Sequence, residues 1–78
     1  MQGRKPTLRT LCLEHKITIF ELEKESNINY VSIWSVFIGL DTTLDTVEQL
    51  LHALNHLKGT TYTVNDIQFS VANGRMYV

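Results

Sequence analysis

The side chains best suited to chemistry are few in this sequence, and their spacing commits them to little of it. His52 and His56 stand four apart, the interval that sets two imidazoles on one helix face and can begin a zinc site. No third ligand accompanies them, and Ala53 stands where zinc-protease motifs carry a glutamate after the first histidine. Solvated histidines are therefore expected, with no metal and no other cofactor. Cys12 is the only cysteine, so no internal disulfide can form, and a small core hydrophobe is its simplest use. No nucleophile–base pair, phosphate-cradling glycine loop or carboxylate dyad can be assembled, so the chain reads as neither an enzyme nor a binder of a small-molecule substrate.

Charge says more by its distribution than by its sum. The 78 residues carry a net charge of −1, so no bulk field draws the molecule to nucleic acid or to an anionic membrane. Arg4, Lys5, Arg9, Lys16 and Lys24 nevertheless place most of the positive charge in the first third, while residues 26–40 carry no charged side chain. Arg4, Lys5 and Arg9 can reach phosphates or a minor groove. A solvated terminus is the plainer reading of the same residues. No apolar run approaches a membrane span, and the basic start lacks the apolar stretch of a signal peptide. With a lone cysteine, a reducing cytoplasmic setting is expected.

These residues need elements to position them, and the pattern predicts a mainly α chain of four to five short helices followed by a β-hairpin, in one domain. Residues 1–6 read as an arm. Thr7 can cap a helix over 8–15, with Leu8, Leu11 and Cys12 at helical spacing and Ile17 in the core after it. Thr18 with Glu21 makes a capping box for a helix over 19–25, with Leu22 facing inward. The run Ser26-Asn27-Ile28-Asn29 is turn-like, since asparagine tolerates the left-handed conformation that ends a helix abruptly. Asn29 caps a third helix over 30–38 with Ile33 and Val36 at core spacing, and Gly39 ends it. Asp45 with Glu48 predicts the start of a longer helix to about residue 57. Its stripe is Val47, Leu50, Leu51, Leu54 and Leu57, and Gly59 is its stop. Thr63 caps one more turn over 64–66. In residues 68–78 the period changes to two around Asn73-Gly74, a strong hairpin signal. Phe69, Val71, Met76 and Val78 form its apolar face, expected to lie on the helices because a lone hairpin is marginal in water.

The stretch from Ile17 to Gly39, "ITIFELEKESNINYVSIWSVFIG", resembles the two central helices of the Xre/Cro repressors of bacteria and phages. Thr18, Leu22, Asn27, Ile28, Ile33, Val36 and Gly39 meet the family register without a gap. Leu8 and Leu11 before them, and Leu50, Leu51 and Leu54 after them, extend the likeness over most of residues 8–57. The resemblance implies a helix-turn-helix fold, double-stranded DNA as partner, a regulator or repressor of transcription, and a dimer on two half-sites. It also implies that the third helix enters the major groove with Tyr30, Val31 and Ser35 as base readers. Asn29 and Ser32 would lie near phosphates, and a further phosphate would meet the amides after Thr18.

Several positions differ from the family habit. Ile19 replaces a common glutamine. The third helix has no Arg, Lys or Gln, the usual readers of guanine and adenine. Cys12 and Phe37 replace an arginine–glutamate pair, an exchange of both charges for two apolar groups that leaves neither unpaired. Tyr30 is as readily an aromatic that covers the turn as a base reader. Trp34 is a DNA wedge, part of a partner surface, or a ring packed beneath the hairpin, and packing is the favoured reading because a large ring rarely stays free. Ile19, Phe20 and Ile38 raise the same question, since an exposed apolar patch marks an interface. The alternative function is accordingly a protein-interaction module on a helix-turn-helix scaffold.

Overall fold

Each helix begins where an extended residue turns its side-chain oxygen back onto an amide. In the computed structural model, which describes residues 5–70, the elements are α1 (Leu8–Glu14), α2 (Ile19–Ser26), α3 (Tyr30–Phe37), α4 (Leu44–Lys58) and a 3-10 turn (Val64–Asp66). Thr7 accepts from the Thr10 amide at 3.1 Å, Thr18 from Glu21 at 3.1 Å and Asn29 from Ser32 at 2.9 Å. Each cap satisfies one of the amides that a helix start leaves without an intrahelical partner. Thr18 and Glu21 form the full reciprocal box, as do Thr63 and Asp66 at the 3-10 turn.

The start of α4 differs from expectation. Thr43, not Asp45, is the cap: its hydroxyl accepts from the Thr46 amide at 3.2 Å, and the Val47 amide bonds the Thr43 carbonyl at 3.2 Å. Asp45 instead lies in the first turn, where its carboxylate meets the positive end of the helix. Asn27 (φ 64°) and Gly59 (φ 68°) end α2 and α4 in the left-handed region. Gly39 does so just after α3, at φ 91°.

Four amphipathic helices this short can be stable only by sharing one core. Leu8, Leu11 and Cys12 of α1, Leu22 of α2, Ile33 of α3 and Val47, Leu50, Leu51, Ala53 and Leu54 of α4 are buried together, with Ile17 and Ile67 from the connections. Ile28, Val36, Phe37, Leu57 and Phe69 pack around them, half-buried. α2 lies against both α4 and α3, and α1 lies against α3. Burial pushes the Cys12 thiol from 9.0 up to about 12, so it remains a neutral core group. No helix among the described residues is long and apolar enough to cross a membrane.

Just past Gly59, one side chain fastens residues 60–62. Asn55 Oδ1 accepts from Thr60 Oγ1 (2.7 Å) and the Tyr62 amide (2.9 Å), while its Nδ2 donates to the Tyr62 carbonyl (2.9 Å). Tyr62 is thereby placed to bond His15 Nε2 at 3.1 Å, tying this loop to the end of α1. Asn55→Ala removes three part-buried bonds and is expected to cost about 2–4 kcal/mol. Chemical denaturation measures it; a loss below about 1 kcal/mol would mean that the loop is held by packing alone.

The turn and second strand of the expected hairpin lie outside the described residues. Its first described residues, Gln68 to Ser70, form no strand. Gln68 makes an isolated parallel bridge with Thr7 and donates its amide to the Pro6 carbonyl at 2.9 Å. The Thr42 amide donates to the Ser70 carbonyl at 2.9 Å. Pairing capacity assigned to a hairpin partner is therefore taken up by backbone flanking α1 and α4. Phe69 does turn onto the core.

Candidate nucleic-acid interface

Helix α3 is fixed at its start by bonds that leave its outer face free. The Asn27 amide bonds the Glu23 carbonyl (2.9 Å), and the Ile28 amide bonds Ser26 Oγ (3.1 Å). The Tyr30 amide bonds Glu23 Oε2 at 3.0 Å, reaching across the turn to α2. With Ile33 fully buried and Val36 and Phe37 half-buried, the inner side of α3 is committed to the core. A helix of two turns held in this way presents a defined surface rather than a frayed one.

That surface is mostly apolar. Val31 is 69 % exposed, Ile38 52 %, Trp34 49 % and Tyr30 40 %, and Phe20 of α2 joins them at 69 %. The Phe20 and Tyr30 rings lie 5.4 Å apart, centroid to centroid, at a 40° tilt. Trp34 is therefore half-exposed on the outer face, and the hairpin expected to cover it lies largely outside the described residues. Tyr30 has a ring neighbour, yet it keeps enough exposure to meet a ligand.

The polar candidates are partly committed. Asn29 spends its Oδ1 on the Ser32 amide, which leaves its side-chain amide hydrogens to donate. Ser35 donates its hydroxyl to the Val31 carbonyl at 3.0 Å, so it can act outward only as an acceptor. Thr18 Oγ1 is engaged with Glu21 both as acceptor and, at 3.3 Å, as donor. The amides of Ile19 and Phe20, next along α2, take no protein partner among the described residues. Unpartnered amides at the positive end of a helix suit a phosphate oxygen. The Phe20–Tyr30 ring contact sets that end of α2 beside the start of α3.

Lys5 and Arg9 are exposed, just before and on α1, while Arg4 lies outside the described residues. Thr7 and Leu8 share a cavity of about 140 Å³ with Val36, Phe37 and Leu40, which puts the start of α1 at the C-terminal end of α3. The two groups suited to phosphates thus stand at opposite ends of α3. Two carboxylates oppose them: Glu21 accepts from the Thr18 amide at the start of α2, and Glu23 from the Tyr30 amide at the start of α3. The Glu23 contact left no signal in the sequence, because a side chain seven residues from its amide follows no capping motif.

His52 and His56 have different neighbours, with Glu25 common to both. His56 Nδ1 pairs with Glu25 Oε2, bridging α4 to α2, while His52 lies on an open surface with Asp45 and Glu48. Among the described residues no three metal-capable side chains converge.

No family model, curated protein or solved structure matches the chain.

Proposed function

We propose that the chain is a sequence-specific regulator of transcription that places α3 in the major groove of duplex DNA, in the manner of the Xre/Cro repressors its central segment resembles. The observation that carries this reading is a short helix with a bonded start and a buried inner side, flanked by phosphate-suited groups at both ends. A major groove admits a helix. Phosphate contacts would come from the Ile19 and Phe20 amides beside Thr18, from Asn29 and Ser32, and from Arg4, Lys5 and Arg9. Tyr30, Val31, Trp34 and Ser35 would face the bases. One such module makes few contacts, so a dimer on two half-sites is part of the proposal, in a cytoplasmic setting.

Titration of a mixed-sequence duplex at low and at moderate salt, beside sedimentation of the free protein, tests it. Binding that weakens steeply with salt is expected, because neutralised phosphates release counterions. On a selected site, Tyr30→Ala is expected to cost about 1–3 kcal/mol and to cost little on random DNA.

A second reading, a protein-interaction module, is favoured by the apolar character of the exposed face together with Glu21 and Glu23 at the two helix starts. Absence of duplex binding at low salt would exchange the first reading for this one. Trp34→Ala and Ile38→Ala would then abolish capture of the partner, since buried aromatic anchors dominate interfaces.

A further inference from the structure

The outer face of α3 has a chemistry that selects among base edges. Val31, Trp34 and Ile38 follow one another at intervals of three and four residues, so they form one stripe. From Val31 to Ile38 the helix rises about 10 Å, the length of about three base-pair steps. Reading guanine needs two donors aimed at O6 and N7, and reading adenine needs a donor and an acceptor on one side chain. No side chain of α3 offers a two-point fork for either: the Ser35 hydroxyl donates to the Val31 carbonyl, Trp34 carries a single donor, and Tyr30 and Ser32 carry one hydroxyl each. A purine edge beneath this stripe would lose water and gain no partner for its acceptors, which costs free energy. One group on the groove floor gains from apolar contact, and that is the C5-methyl of a pyrimidine.

We infer that α3 recognises pyrimidine C5-methyl groups in the major groove through Val31, Trp34 and Ile38, with the Tyr30 hydroxyl as a polar reader beside them. This inference rests on the DNA-binding reading above. A duplex is the occupant that the surroundings fit. The unpartnered Ile19 and Phe20 amides lie beside the start of the stripe, and Thr7 and Leu8, which Lys5 and Arg9 flank in the chain, adjoin its other end, so groups suited to phosphates accompany the stripe. Thymine and 5-methylcytosine carry the same methyl at the same place, so both belong to the recognised class.

The test compares four duplexes of equal length by fluorescence anisotropy with the full chain at low salt. They are an alternating A·T duplex, the same duplex with deoxyuridine for thymidine, an alternating G·C duplex, and that duplex with 5-methylcytosine for cytosine. Each exchange changes the C5 substituent and no hydrogen-bonding group. Burial of two methyl groups corresponds to on the order of tenfold in affinity. The thymine duplex is expected to bind about that much tighter than its uracil counterpart. A like preference within the G·C pair would extend the recognised source to 5-methylcytosine, and its absence would assign the methyl to thymine. In the double variant Val31→Ser, Ile38→Ser the thymine and uracil affinities are expected to converge. Both positions are exposed, and a thermal melt checks that the variant folds.

Equal binding of thymine and uracil duplexes by the native chain, with no preference in the G·C pair, would overturn the inference and leave duplex binding standing. A preference that survives the double variant would also overturn it. No binding to any of the four would remove both the inference and the reading beneath it.

Discussion

Cys12→Arg is expected to lower the stability of the fold by about 3–5 kcal/mol, the cost of burying a charge without a partner. A chain of this length is held by roughly 4–12 kcal/mol in all, so the variant stands near the edge of unfolding at room temperature. Cys12 is 1 % exposed in the core, on a helix that packs against α3, and no carboxylate is buried among the described residues to receive a guanidinium. Phe37, at the end of α3, is half-buried against the same core. Adding Phe37→Glu to Cys12→Arg puts an acceptor on the facing helix and is expected to recover a good part of the loss. Phe37→Glu alone is destabilising. The recovery is read as the coupling term of a double-mutant cycle from denaturant midpoints. Additive losses would mean that the two side chains do not face each other, and that the apolar exchange at these positions is two separate events.

Which features are legible in the sequence follows from the range of the forces that make them. Caps at Thr7, Thr18, Asn29 and Thr63 are readable because a cap joins a side chain to an amide two or three residues on. The start of α4 escapes the same rule. Thr43 and Asp45 both satisfy the cap spacing, and the choice falls to the carbonyl that opens the helical ladder. The periodic stripe of α4 contains Val47, Leu50, Leu51 and Leu54, yet Ala53 and Ile67, both buried, carry no periodic signal strong enough to single them out.

Links across long separations leave no trace. Glu25 with His56, His15 with Tyr62 and Pro6 with Gln68 join residues that only the tertiary fold brings together. The candidate interface is half-legible for the same reason. Residue types along α3 are plain, and so is the outward position of Trp34, but what covers that ring depends on segments distant in the chain, which a local pattern does not contain. Commitment of the Ser35 hydroxyl to the Val31 carbonyl is equally hidden, although it decides what Ser35 can read.

The largest effect on binding is expected from the arm and α1. If α3 brings no charge to a duplex, the cations must come from elsewhere, and the exposed Lys5 and Arg9 flank, in the chain, the Thr7 and Leu8 that share a cavity with Val36 and Phe37 at the end of α3. Arg4→Gln, Lys5→Gln and Arg9→Gln together are expected to weaken binding to every duplex by a similar factor, because phosphate contacts carry no sequence information. Removing three cations from the phosphates should flatten the slope of log affinity against log salt by about 2.7. Over a rise from about 50 to about 200 mM salt, the triple variant should then lose roughly fortyfold less affinity than the native chain. Net charge opposes the native chain on any anion, and Glu21 and Glu23 stand close to the groove-facing side. Whatever affinity exists at moderate salt must therefore be concentrated in these few cations and in the α2 amides. A triple variant with the native slope would place the phosphate contacts elsewhere and take the arm out of the interface. A triple variant that binds one sequence normally and others weakly would contradict the assignment more deeply, since it would make the cations readers of sequence.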